Sequence, residues 1–124
     1  KMKLKKTNPE LFDLVRELLS GYHCEFRKMF GCPAYFVKGN MFAGAFGDDL
    51  FLRLSEKDRQ EIKETAGEVA PFEPLPGRIM KEYVTIPESV FADRAFINGW
   101  IKKAHLYASG IKGKPKKAVK KKTA

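Results

Sequence analysis

Residues 26–54 read FRKMFGCPAYFVKGNMFAGAFGDDLFLRL and decide the predicted fold. Short apolar runs alternate in this stretch with three turn-forming groups, Gly-Cys-Pro at 31–33, Gly-Asn at 39–40 and Gly-Asp-Asp at 47–49. Apolar runs separated by such groups are typical of antiparallel strands joined by hairpins. The stretch therefore predicts three or four strands, at about 25–30, 33–38, 41–46 and 50–54.

The turn residues also predict a register. A two-residue turn at Gly39-Asn40 pairs Val37 with Phe42, and a similar turn at Asp48-Asp49 pairs Phe46 with Phe51. One face of the sheet then carries Tyr35, Val37, Phe42, Phe46, Phe51 and Arg53, and the other carries Phe36, Met41, Ala43, Ala45, Leu50, Leu52 and Leu54. A slip of one residue in the second turn would exchange the two faces of the last strand.

The aromatic side chains of the first of these faces form the candidate interface, which consists of Tyr35, Phe42, Phe46 and Phe51. An exposed apolar patch of this size is typical of a contact with a partner. A homodimer formed through the sheet would cover it most simply. The alternative is that a helix covers these rings and that the opposite face is open.

Helices are predicted before, between and after the strands. Thr7 and Glu10 fit a capping box that begins a helix over 7–20, and Ser55 begins a polar helix over 55–65. Two further strands fall within 68–86, and apolar residues spaced by three and four predict a last helix over 93–108. The order α-β(3-4)-α-β(2)-α predicts an α+β fold with about five antiparallel strands and helices on one face.

The positive charge is concentrated at the two ends of the 124-residue chain. Residues 1–6 carry four lysines and residues 111–124 carry seven, while the residues between them hold 13 basic and 15 acidic side chains. We therefore predict a basic extension over 1–6, one domain over 7–110 and a disordered lysine-rich tail over 111–124. A basic fold that binds DNA over its whole surface is excluded by the nearly neutral body.

The lysines of the tail are the candidate nucleic-acid contact; they are Lys112, Lys114, Lys116, Lys117, Lys120, Lys121 and Lys122. Each would neutralise a backbone phosphate. The alternative is a solubilising tail, because no aromatic residues interleave with the lysines as they do in single-strand binders.

Motifs of catalysis, metal binding and phosphate binding are missing from the sequence, so we expect neither an enzyme nor a cofactor. His23, Cys24, Cys32 and His105 are interpreted as structural, since their spacing fits no metal site. Arg78 and Lys81 flank a Pro-Gly turn and are a candidate contact for an anion or a partner. The alternative for these two residues is a turn followed by a solvated strand face.

The sequence contains no apolar run long enough to cross a membrane and no apolar segment behind the N-terminal lysines. Together with only two cysteines, this predicts a cytoplasmic protein with reduced thiols.

The chain resembles the N-terminal domain of the TfoX/Sxy competence-regulator family over about residues 10–109. The resemblance is carried by a series of short motifs in a fixed order. They are Arg27-Lys28-Met29-Phe30-Gly31, Tyr35-Phe36-Val37, Gly39-Asn40-Met41-Phe42-Ala43, Leu50-Phe51-Leu52-Arg53-Leu54, Pro71-Phe72, Pro76-Gly77-Arg78, Met80-Lys81-Glu82-Tyr83, Ile86-Pro87 and Trp100 with Ala104, Tyr107 and Ala108.

This resemblance implies a small bacterial cytoplasmic α+β domain with a secretion-chaperone-like arrangement of one sheet and its helices. In full-length members it implies a regulator of competence genes that acts with a cyclic-AMP-responsive transcription activator. The separate helical domain of those regulators has no counterpart here, where the lysine-rich tail follows instead. The resemblance implies no catalytic residues.

Two functional hypotheses follow. The first is a non-enzymatic regulatory or interaction domain whose tail contacts nucleic acid. The second is a protein-binding adaptor, or a homodimerisation module, that uses the aromatic face of the sheet and has no role on DNA.

Overall fold

The computed structural model describes residues 7–29 and 31–111, and within them it confirms the predicted α+β fold. The strands are β1 (Glu25–Met29), β2 (Cys32–Val37), β3 (Asn40–Phe46), β4 (Asp49–Arg53), β5 (Ala70–Leu75) and β6 (Arg78–Ile86). The helices are α1 (Pro9–Leu19), α2 (Glu56–Thr65), α3 (Glu88–Phe91) and α4 (Arg94–Gly110). The strands form one antiparallel sheet in the order β1-β2-β3-β4-β6-β5, and their number agrees with the predicted three or four strands followed by two more.

The predicted N-terminal extension and the lysines from Lys112 onward lie outside the described residues. No helix in the described part of the chain is both long enough and apolar enough to cross a membrane.

The first helix begins one residue later than the capping box predicts. The side chain of Asn8, rather than that of Thr7, accepts the N–H of Leu11 at 2.8 Å, and Pro9 occupies the first turn, where a missing N–H is harmless. Thr7 is buried instead. The apolar stripe of α1 then buries Leu11, Val15 and Leu19.

Helices cover one face of the sheet, which we call the helix face. Buried side chains from α1, α2, α3 and α4 join sheet residues such as Leu52 and Val84 in one apolar cluster. The long helix α4 contributes most, with Ile97, Trp100, Ile101, Ala104 and Ala108 buried. Each large side chain removed from water in this way stabilises the fold by about 1.5–3 kcal/mol.

The first hairpin turns one residue earlier than predicted. Val37 pairs with Asn40, so that Lys38 and Gly39 form the turn, with φ of 52° and 82°. Positive φ at both central residues belongs to a type I′ turn, which matches the twist of the strands. The shift moves Asn40 into a buried position, where its Nδ2 donates to the carbonyl oxygens of Ala108 and Ile111 at 3.0 and 3.3 Å. The turn thereby caps the end of α4.

A β-bulge then divides the aromatic residues between the two faces. Phe36 pairs with Met41 but Tyr35 pairs with Ala43, so that Phe42 is the extra residue of β3. Tyr35 and Phe42 consequently lie on the helix face, in the same buried cluster as α4. The predicted common face for Tyr35, Phe42, Phe46 and Phe51 is therefore wrong, because turn chemistry alone cannot reveal an inserted residue.

The second hairpin also differs in its turn, but its faces are as predicted. Phe46 pairs with Asp49, which places Gly47, at φ 64°, and Asp48 in the turn. This pairing is shifted by two residues from the predicted one, and a shift of two leaves every side chain on its original face. Leu50 and Leu52 therefore join the helix face as expected.

Candidate functional site

The face of the sheet opposite the helices, which we call the pocket face, holds an apolar pocket of about 260 Å³. Every residue that lines it is apolar or carries sulfur. They are Met29, Cys32, Pro33, Ala34, Met41, Ala45, Phe46, Phe51, Phe72, Pro74, Leu75 and Met80. Pockets that bind ligands by shape are lined mostly by such side chains.

The floor of the pocket depends on a glycine. Gly44 lies between Ala34 on β2 and Phe51 on β4. A Cβ atom at position 44 would stand 2.5 Å from Cζ of Phe51 and 2.5 Å from the carbonyl oxygen of Pro33. The missing side chain therefore lets the Phe51 ring lie down on the sheet.

The wall of the pocket comes from the edge strand β5, which contributes Phe72, Pro74 and Leu75. Its pairing with β6 is irregular on both sides of Phe72, and irregular pairing increases the local twist of a strand. Phe72 reaches across β6 and stacks on Phe51, with ring centroids 4.8 Å apart and an interplanar angle of 9°. It also meets Phe46 edge to face at 5.5 Å.

The methionines of the described residues, Met29, Met41 and Met80, all line this pocket. Methionine has three rotatable bonds and a polarisable sulfur, and it recurs at surfaces that accept apolar groups of different shapes. Met29 is 41 % exposed, so that the rim is open to solvent on the β1 side. The pocket can therefore adjust its shape to an occupant.

One cluster of charged and polar side chains joins the sheet to α4. Arg53 contacts Oε1 of Glu82 through Nε and Nη2, both at 2.7 Å, and the Tyr107 hydroxyl donates to Oε2 at 3.0 Å. Burial of Glu82 opposes its ionisation, but these hydrogen bonds outweigh that effect and hold the pKa of Glu82 below its ordinary value. The cluster joins β4, β6 and α4 and is a structural ion pair.

The candidate interface is divided between two places in the structure. Phe46 and Phe51 line the pocket, whereas Tyr35 contacts Phe26 and Phe42 contacts His105 on the helix face. Sequence reasoning missed Phe72 and Met80, because nothing in the local pattern predicts that Phe72 on β5 stacks on Phe51 across β6. The signals that could have identified the pocket are the methionines within the strands and the prolines of β5.

Arg78 and Lys81, the candidate anion contact, are both exposed on β6. The backbone N–H of Gly77 in the adjoining turn donates to Oε2 of Glu73 at 2.6 Å. A carboxylate of the chain itself therefore occupies a backbone donor that an anion would use, and the role of the two cations remains a prediction.

The histidines and cysteines do not converge. His105 packs between the rings of Tyr22 and Phe42, and its Nε2 lies 3.1 Å from the backbone oxygen of His23. Cys32 lies in the pocket, whereas Cys24 lies beside α1. Within the described residues no group of three or more His, Cys, Asp or Glu side chains could hold a metal ion.

Comparison with known proteins identifies a family for the chain. No curated protein matches the chain significantly. The family model described as the TfoX N-terminal domain matches residues 17–108, from the second half of α1 to near the end of α4. This span contains the whole sheet and every residue that lines the pocket. The chain therefore belongs to the TfoX N-terminal domain family.

Proposed function

We propose that this domain is a non-enzymatic interaction module of a cytoplasmic regulatory protein, of the kind that controls competence genes. In this proposal it binds a protein partner by admitting an apolar side chain of that partner into the pocket. The observation that carries the proposal is the lining of the pocket, which offers hydrocarbon and sulfur and no carboxylate, ammonium or imidazole group. Such a lining favours binding, because acid–base chemistry needs positioned ionisable groups.

The size of the pocket supports a side chain as its occupant. An apolar cavity of about 150 Å³ is sufficient for benzene. The volume of about 260 Å³ therefore suits one large aromatic side chain, or two smaller aliphatic ones. An extended or helical segment of a partner could present such residues while the rest of it remains outside the pocket.

The lysine-rich tail is proposed as a second, independent contact. Seven lysines within residues 112–122 would neutralise phosphates of nucleic acid, and the nearly neutral body would contribute little. In this arrangement the pocket selects the protein partner, and the tail adds an affinity that depends on salt.

The experiment is affinity capture from the native cytoplasm with the intact chain and two single variants. Met80→Lys places a charge in the pocket, and Ile79→Lys places the same charge on the neighbouring residue, which is 59 % exposed and does not line the pocket. We expect a defined partner to be retained by the intact chain and by Ile79→Lys and to be lost with Met80→Lys. Equal retention by both variants would contradict the proposal.

A further inference from the structure

The two edges of the sheet differ in how well they are protected against pairing. The edge strand β5 contains Pro71 and Pro74, and its pairing with β6 is irregular at two points. Prolines and bulges at an edge prevent the addition of another strand. The opposite edge strand, β1, contains neither proline nor bulge, and it pairs with β2 in an uninterrupted register. β1 therefore presents a regular edge on which a further strand can form hydrogen bonds.

The side chains of β1 are exposed along its whole length. Phe26 is 48 % exposed although its ring already packs against two others, Phe12 at 5.9 Å and Tyr35 at 5.3 Å. It thus extends the aromatic packing of the helix face to the rim of the sheet. A strand added beside β1 would cover the exposed part of this ring.

The register of β1 shows which of its backbone groups point outward. Lys28 pairs with Pro33, which has no N–H to donate, so the neighbouring pair of Met29 and Cys32 is the one that exchanges hydrogen bonds. Because the bonds alternate along an antiparallel pair, Arg27 and Glu25 also bond to β2. The N–H and C=O groups of Phe26 and Lys28 then point away from the sheet.

We propose that β1 pairs with β1 of a second copy of the chain, antiparallel and centred on Phe26, so that two sheets join into one. The two copies would be related by a two-fold axis perpendicular to the sheet, which keeps every side chain on its own face. One residue of β1 then lies opposite its own copy, and this central residue can be Phe26 or Arg27. Centring on Arg27 would place two guanidinium groups opposite each other, whereas centring on Phe26 places Glu25 opposite Arg27 of the partner subunit.

This register also uses the outward backbone groups. Phe26 would exchange two hydrogen bonds with Phe26 of the partner subunit, and Lys28 would bond to the backbone of Cys24 of the partner subunit. Within one chain Glu25 and Arg27 already lie 3.9 Å apart, and both are largely exposed. Across the two-fold axis they would form a group of four alternating charges. The charges that commonly protect an edge strand are therefore self-complementary here.

The test is a charge exchange followed by sedimentation velocity over a range of concentrations. Glu25→Arg alone and Arg27→Glu alone each place like charges opposite one another, and we expect each to weaken self-association of the chain by at least about tenfold. An equimolar mixture of the two variants restores opposite charges at every position, so we expect it to form a heterodimer. Glu64→Arg and Lys102→Glu, both on exposed helix positions, are the matched controls and should dimerise as the unmodified chain does.

A second readout is amide hydrogen exchange. The N–H groups of Phe26 and Lys28 should exchange more slowly as concentration rises, whereas that of Arg27, bonded to β2, should not depend on concentration. The proposal is overturned if the unmodified chain stays monomeric at millimolar concentration, if both single variants dimerise as it does, or if their mixture gives no heterodimer.

Discussion

The ring of Phe51 lies against Gly44 so closely that a Cβ atom at position 44 would stand 2.5 Å from Cζ of the ring. This contact joins the fold to the site, because the same ring forms the pocket floor and stacks on Phe72. A side chain at position 44 would push Phe51 upward and displace β5 with it. The shape of the pocket therefore depends on the absence of one methyl group.

Gly44→Ala should lower the free energy of unfolding by about 1–3 kcal/mol, because the added methyl group would meet both the ring and the Pro33 carbonyl oxygen. Urea unfolding measures this change. The control is Gly99→Ala within α4, where a Cβ would meet nothing within 4 Å, and it should instead raise stability by about 0.5–1 kcal/mol. Equal effects of the two substitutions would show that position 44 is not crowded.

Asn40→Asp should destabilise the domain more than Asn40→Ala. The side-chain amide of Asn40 is buried and donates to two carbonyl oxygens at the end of α4, and a carboxylate would present an oxygen to them instead. Loss of the donor costs about 1–3 kcal/mol, and the buried negative charge adds to this cost. The melting temperatures of the two variants measure this difference, and Asn98→Ala at an exposed position is the control. A lower melting temperature for Asn40→Ala than for Asn40→Asp would contradict the prediction.

Glu82→Gln should destabilise the domain at neutral pH and have little effect in acid. The pKa of Glu82 is lower in the folded chain than its ordinary value, so the contribution of its carboxylate is present above the unfolded pKa and is lost as pH falls through the folded pKa. Gln cannot supply this pH-dependent contribution. Urea unfolding at pH 7 and at successively lower pH should show that the free energies of unfolding of the unmodified chain and of Glu82→Gln converge.

The control for that experiment is Glu64→Gln, which changes an exposed residue of α2. Its effect should be small at every pH, since exposed charges contribute little. If the loss of unfolding free energy caused by Glu82→Gln is the same from neutral to acidic pH, the carboxylate does not stabilise the fold through its charge.

Removal of residues 112–124 should abolish salt-sensitive retention on DNA and leave the melting temperature nearly unchanged. The reason is that the seven lysines supply most of the excess positive charge, while the body between the basic ends is nearly neutral. Binding to duplex DNA across a salt series measures the effect. A tail of the same length with glutamine at the seven lysine positions is the control for length. Equal binding by the truncated chain would contradict the proposed role of the tail.

The fold class could be predicted because it depends on patterns that are local in sequence. Apolar runs between turn residues locate the strands, and the spacing of Ile97, Ile101 and Ala104 locates the buried stripe of α4. The faces of β4 were also predicted correctly, since the error in the pairing of β3 with β4 was an even number of residues.

The pocket could not be predicted, because it depends on two irregularities. The bulge at Phe42 turns this ring and that of Tyr35 towards the helices, and the irregular pairing of β5 brings Phe72 onto Phe51. Both result from three-dimensional packing rather than from local preference. Nothing local in the sequence distinguishes Gly44 from any other small strand residue, although its role is to accommodate a ring from the next strand.

The most direct test of the central claim is an NMR titration of the chain labelled with ¹³C in its methionine methyl groups. The probe is a blocked phenylalanine amide, which presents one apolar side chain. The account predicts that the signals of Met29, Met41 and Met80 shift together with one saturable dissociation constant, and that the shifts of Met29 and Met41 disappear in Met80→Lys but persist in Ile79→Lys. If these methyl signals do not move, or if Met80→Lys leaves the shifts of the other two unchanged, the pocket does not receive apolar side chains and the account is wrong.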